Sequence, residues 1–318
     1  MNFSLRRLSV LQLESGPATL IPLIHIPLLK DAPRREGAYK VVPDSLGDLC
    51  HFYGDFAGYH LYLITSTYKK QIVKDSINYY DKTQGLFSVA LSVIRDNGET
   101  EIVHINECKA PLQEFVGGHT MYPHDISVEQ FSPGAPDALR FHFSSAQPKF
   151  KFSNNLIPYI PSSVRQLHSG LFNLQIEYIG KAIGKDGTRE VADRLGNGHS
   201  TEAKILNEFV HKKTNRDAYA VLFKLGHPTD VFGKPLSVLS YSEIVDVFEK
   251  SLIGHFKPEK NIQSCNFPND GSHTTWNLAQ HGVDALRIEL RSPQDYGLLF
   301  TNEVSPELKH RFELEIEE

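Results

Sequence analysis

The chain has 318 residues, of which 40% are hydrophobic, 10% aromatic and 22% charged. That composition supports an ordinary buried core and excludes a wholly disordered chain, a collagen and a coiled coil. The formal net charge of −5 excludes a protein that coats nucleic acid with its whole surface, while leaving room for a local basic site.

Length alone allows two domains at roughly 100–200 residues each, or one large one. From the N-terminus, the apolar run Ala18–Leu29 is broken by Pro22, His25 and Pro27. It is too short to span a bilayer and is not placed as a signal peptide. Three cysteines, Cys50, Cys108 and Cys265, lie far apart, so no disulfide framework is implied. A cytoplasmic protein with no membrane partner is expected. Tyr59–Ser66 is aromatic and β-branched and predicts a strand. Leu86–Arg95 and Glu99–Asn106 flank Asp96-Asn97-Gly98, a hairpin signal. Residues 118–138, rich in Gly, Pro, His and Asp, predict a loop, and Asp137–Ser144 alternates as a strand should. The segment 145–155 then offers a boundary. Residues 1–150 are expected to form a strand-rich recognition or regulatory domain, and residues 151–318 a second domain.

The second half changes character. Leu171–Ile179 predicts a strand ending in Gly180, followed by a short helix through Leu195 and a second helix over Thr201–Lys212. Ala218–Leu225 predicts a strand. Ser242 is placed to cap a third helix that stops near Phe256, ahead of Pro258. Leu286–Leu290 and Gly297–Phe300 are closing strands, and the acidic end with Glu313, Glu315, Glu317 and Glu318 reads as a solvated end or an exposed strand edge. The order is that of an α+β unit. Residues 178–261 hold 13 Lys/Arg against 11 Asp/Glu, while residues 262–318 hold 4 against 10, so the middle segment is the one suited to an anionic partner.

The third helix carries the most informative residue. On a wheel at about 100° per residue, with Val245 at zero, Glu249 falls at about +40°, inside the arc of Phe248, Leu252, Ile253 and Phe256. Asp246 and Lys250 fall at its border or outside. A carboxylate facing a core must be paired or bind a metal. Alone, it fits a structural ion pair as well as a functional site. Arg194, Tyr178 and His199, each taken alone, read as a solvated arginine, a packed tyrosine and a loop histidine. Gly180–Asp186 imitates a phosphate loop, but its glycine spacing is one residue short and Asp186 replaces the required Ser or Thr. No dinucleotide fingerprint, nucleophile elbow or paired-cysteine zinc signature is present.

Taken in order, these residues resemble the GIY-YIG nuclease superfamily over about residues 156–265. Tyr178-Ile179-Gly180 with Lys181-Ala182 resembles the second half of the family's name motif. Arg194-Leu195, with His199 after it, resembles the arginine helix, and Glu249-Lys250-Ser251-Leu252-Ile253 with Pro258 and Asn261 resembles the metal-binding Glu helix. For the first half-motif, Gly170-Leu171-Phe172 lies too close to Tyr178, and Ile157-Pro158-Tyr159 stands at a workable distance, which makes Tyr159 the candidate.

The resemblance implies a compact GIY-YIG-like α/β/α nuclease domain with a small central antiparallel sheet. It implies a metal-dependent endonuclease that hydrolyses phosphodiester bonds, first of all in DNA, in a setting such as restriction or phage defence. Arg194 would stabilise phosphate charge, and Glu249 would hold Mg²⁺ or Mn²⁺. Tyr178, with Tyr159, would activate water, helped by Lys181 or His199. Gly180, Lys181, Lys185, Arg189 and Asn261 would line the substrate side, with Asn261 bracing the site by hydrogen bonding. A homo-oligomer, or a partner protein held through the N-terminal domain, would supply further contacts. The alternative is a catalytically inactive module that binds nucleic acid or protein on the same scaffold.

Overall fold

The computed structural model describes residues 10–23, 40–43, 49–52, 58–115, 118–129, 137–143, 152–155, 169–183, 191–196, 200–211, 215–230, 239–293 and 297–316. The first half contributes β1 (Val10–Pro22), β2 (Lys40–Pro43), β3 (Leu49–Phe52), β4 (Leu61–Tyr68), β5 (Lys70–Ile72), β6 (Asn78–Asp81) and β7 (Leu86–Ile94). It continues with β8 (Thr100–Lys109), β9 (Gln113–Phe115), β10 (His119–Met121), β11 (Asp125–Glu129) and β12 (Ala138–His142). Then come β13 (Phe152–Asn155), α1 (Ser169–Phe172), β14 (Leu174–Lys181), α2 (Val191–Gly196), α3 (Ser200–His211) and β15 (Arg216–Leu225). The chain closes with α4 (Tyr241–Phe256), α5 (His273–Gln280), β16 (Ala285–Arg291), β17 (Leu299–Phe300) and β18 (Lys309–Glu315).

The main sheet has seven strands in the order β17-β14-β4-β15-β1-β16-β18. It is mixed: β14 pairs β17 in parallel and β1 pairs β16 in parallel, while the other pairs are antiparallel. This overturns the expected small antiparallel sheet in a compact α/β/α domain. The reason lies in β1, which serves two neighbours. Its Val10–Glu14 segment lies along β16 and its Ala18–Pro22 segment along β15, with a register shift between Ser15 and Ala18. Ser15-Gly16-Pro17 looks like a strand break in sequence, yet it is an irregularity within one strand.

The expected boundary near residue 150 does not follow the sheet. β1 and β4, from the first half, lie between strands of the second half. What separates is the stretch between β4 and β14. Its strands form smaller sheets, β5-β7-β6 with β8 on β7, β11-β12-β13 and β9-β10. Those strands share a core of their own, including Phe87, Val89, Leu91, Val103, Ile105, Leu139 and Phe141, to which α1 adds Leu171 and Phe172. The hairpin at Asp96-Asn97-Gly98 is present, with Gly98 at φ 83°, where a side chain is disfavoured. Residues 118–138 are not all loop, since they hold β10 and β11.

β4 is buried along nearly its whole length, as a strand covered on both faces must be. On one face Leu63, Ile179, Val221 and Ile288 pack with Phe248, Leu252 and Phe256 of α4. On the other, Tyr62, Ile64 and Leu222 pack with Val191 and Leu195 of α2 and Ile205 and Phe209 of α3. α4 begins one turn's fraction earlier than expected. Ser240, not Ser242, is its N-cap, in a capping box with Glu243. It ends as expected at Phe256, with Lys257 in the left-handed region. Leu171 belongs to the helical turn α1, so the strand leading to Gly180 begins at Leu174. β18, with its alternating charged residues, is the edge strand of the sheet, a placement that discourages edge-to-edge pairing. Among the described residues no helix is long and apolar enough to cross a membrane.

Candidate active site

β4 and β14 run antiparallel with Tyr62 opposite Gly180 and Ile64 opposite Tyr178. Side chains two apart on one strand share a face, so both tyrosines stand on the α2–α3 side. Their ring centroids are 6.2 Å apart, tilted by 41°. Gly180 is the residue that permits this. A Cβ there would lie 2.5 Å from Tyr62 Cζ and Oη and 2.8 Å from Tyr178 Cε1. Arg194, in the last turn of α2, places its guanidinium carbon 6.0 Å from the Tyr62 ring centroid. Its Nη1 donates to the carbonyl of Lys181, so the arginine is tied to the end of the tyrosine strand.

Lys181, the last residue of β14, alternates to the α4 side. Its Nζ pairs with Glu249 Oε2 at 2.8 Å and with Asp246. Asp246 also pairs with Lys250 at 3.0 Å and accepts from Thr274 Oγ1 at 2.6 Å. Glu249 is the least exposed of these charged side chains, at 14%. Burial raises its pKa above the ordinary carboxylate value, and this outweighs the opposing pull of Lys181 and the smaller one of Arg194. Burial also pushes Asp246 upward, but hydrogen bonds from Lys181 and Thr274 more than offset it, and its pKa is lowered. For Lys181, burial acts to lower the pKa, and Glu249 and Asp246 together overcome it and raise it. The lysine stays an ammonium, and the proton most easily gained here belongs to Glu249.

Asn261 holds the strand from its outer edge. Its Oδ1 accepts from Ile179 N–H at 2.8 Å and its Nδ2 donates to Ile179 C=O at 2.9 Å. Both ends of the amide are thus spent on β14, which makes it a brace for the strand and not a group turned to substrate. Pro258 and Lys257 stop α4 in time for the chain to turn back to this position.

Around the end of β14 the structure thus places Tyr178, Gly180 and Arg194 on one face of the sheet, Lys181 and Glu249 on the other, and Asn261 at the edge. Tyr159, Lys185, Arg189 and His199 lie outside the described residues. Sequence reasoning missed Tyr62, Asp246, Lys250 and Thr274. Tyr62 sits in the strand predicted over Tyr59–Ser66, and its partnership with Tyr178 is hidden by the residues folded between β4 and β14. Asp246 had a usable signal, since it lies three residues before Glu249 at the border of the same helical arc. Among the described residues no three His, Cys, Asp or Glu side chains group as a metal site. No protein-family model matches the chain, and no curated protein or solved structure is significantly similar to it.

Proposed function

We propose that this chain is a metal-dependent endonuclease that hydrolyses nucleic-acid phosphodiester bonds, with DNA the first substrate to test. One observation carries the reading: at the Gly180 end of β14, Tyr62, Tyr178 and Arg194 gather on one face of the sheet and Lys181 with Glu249 on the other, from four different elements. In this reading Tyr62 takes the place for which the GIY-YIG resemblance offered Tyr159. The chemistry of each residue suits phosphoryl transfer. Arg194 offers a planar guanidinium to phosphate oxygens as their charge grows. Tyr178 orients and deprotonates the attacking water, a role that requires nearby cations to favour its phenolate. Arg194, on the same face of the sheet, is the cation this reading assigns to that role.

Glu249 and Asp246 are hard oxygen donors one helical turn apart, a set that suits Mg²⁺ or Mn²⁺ with waters completing the shell. When bound, such an ion supplies positive charge to the phosphate and the leaving oxygen. Lys181 bridges both carboxylates in this state and would turn toward substrate phosphate when they take a metal. One site cuts one strand at a time, so paired copies are the expected route to a double-strand break.

The test is plasmid cleavage by the purified chain in Mg²⁺ or Mn²⁺. Glu249→Ala, Arg194→Ala and Tyr178→Phe should each lower the rate by about a hundredfold or more. A second reading, a binding module without catalysis, is favoured by the 2.8 Å Lys181–Glu249 pair, which already neutralises the acid. Retained nucleic-acid binding with no nicking in either metal would establish that reading in place of the first.

A further inference from the structure

The register between β4 and β14 slips at one point. Ile176 faces Thr65 and Tyr178 faces Ile64, so Glu177 has no opposite residue. This extra residue sets the phase of everything after it, because a slip of one position sends a strand's side chains to the other face. Tyr178 stands beside Tyr62 only because Glu177 is accommodated as a bulge.

Glu177 is a buried carboxylate, 4% exposed, and it is held by a chain of hydrogen bonds that leads away from the site. Ser66 Oγ donates to Glu177 Oε1 at 2.6 Å. Arg216 Nε donates to Ser66 Oγ at 3.0 Å, and its Nη2 donates to Gln175 Oε1 at 3.0 Å. The remaining Nη1 pairs with Asp96 Oδ2 at 3.1 Å. Asn215 Nδ2 donates to the other oxygen of Asp96 at 3.0 Å. Asp96 is the first residue of the β7–β8 turn, in the unit folded between β4 and β14. Arg216 is nearly buried and Asp96 is exposed, so the chain runs from the surface of that unit to the backbone next to Tyr178.

We propose that Asp96, Arg216, Ser66 and Glu177 form a positioning relay, through which docking of the β5–β13 unit sets Tyr178 against Tyr62. Its effect on catalysis rests on the nuclease reading, while its effect on Tyr178 does not.

The experiment uses the full chain with Tyr178 replaced by 3-fluorotyrosine, observed by fluorine NMR, beside steady-state cleavage in Mg²⁺. Asp96→Ala and Ser66→Ala should shift or broaden the resonance. In unlabelled protein they should lower kcat by about tenfold with KM changed less than about twofold, as misplacement of a reacting group does. Asp96→Glu, which can still reach Arg216, should restore both. A merely structural Asp96 would lower the melting temperature and leave the resonance of the folded protein in place, and that result overturns the relay. If the unsubstituted chain cleaves nothing in Mg²⁺ or Mn²⁺, the nuclease reading fails, and the resonance still decides the relay.

Discussion

Gly180 shows how much one missing methyl group can decide. Tyr62 is fully buried, so its ring has no room to swing away from a new Cβ at 2.5 Å. Gly180→Ala should cost about 1–3 kcal/mol, the usual penalty for overpacking, and should separate the two tyrosines. The denaturation midpoint and the cleavage rate check the two effects. Asn261→Ala removes both bonds to Ile179 and should cost about 0.5–1.5 kcal/mol for each, read in the same unfolding experiment. Glu249 makes a prediction about pH. Its folded pKa is raised by burial, and a carboxylate must lose its proton before it can hold a metal. The acid limb of the kcat/KM profile should therefore lie above the ordinary glutamate value of about 4.3. With the metal held well below saturation, so that it does not itself displace the proton, a limb at or below that value would remove Glu249 from the metal-binding role. The inward placement of Glu249 was legible in the sequence because helical period is a local property, readable from Val245 to Phe256. Its ion partner was not, since Lys181 comes from another element.

At the level of elements, the local signals held where one segment decides its own structure. The hairpin at Asn97-Gly98 and the end of α4 are of this kind. α4's start was misplaced by two residues because two serines compete there, and Glu243 stands three residues after Ser240, the spacing a capping box requires. Ser240→Ala should cost about 0.5–2 kcal/mol, while Ser242→Ala should cost little. Thermal unfolding of the two variants separates them. The join between β4 and β5 carries a different signal. Lys70, buried, donates to Thr67 Oγ1 at 3.0 Å and to the Tyr68 carbonyl at 2.7 Å. Burial pulls Lys70 down to about 7, against the opposing charge of Asp217, and pushes Asp217 up to about 6, against that of Lys70. The signs follow from linkage. The folded state holds the Asp217 proton more tightly than the unfolded chain, so that stability is lost as pH rises from 3.8 through about 6. It holds the Lys70 proton less tightly, so stability grows as pH rises from about 7 toward 10.5. This pair alone should therefore give a shallow minimum between about 6 and 7 in a plot of unfolding midpoint against pH. The minimum should vanish in the Lys70→Met, Asp217→Leu double variant.

Across the whole molecule, what escaped the sequence was partnership. β4 and β15 have the composition of strands, yet nothing local tells Leu61–Tyr68 that it will lie between Leu174–Lys181 and Arg216–Leu225. Such pairings are settled by long-range burial, and they carry the cost of closing long loops. The same geometry has a further consequence. The chain leaves β4 after Tyr68 and re-enters at Leu174, and Ser66 lies opposite Gln175 there, whereas Leu61 and Lys181 meet at the far end. Departure and return are thus neighbours, at the pole of the strand pair remote from the tyrosines. That pole is a natural splice port: another module could be exchanged there without disturbing the reactive end, provided the newcomer still offers Arg216 an acid to grip.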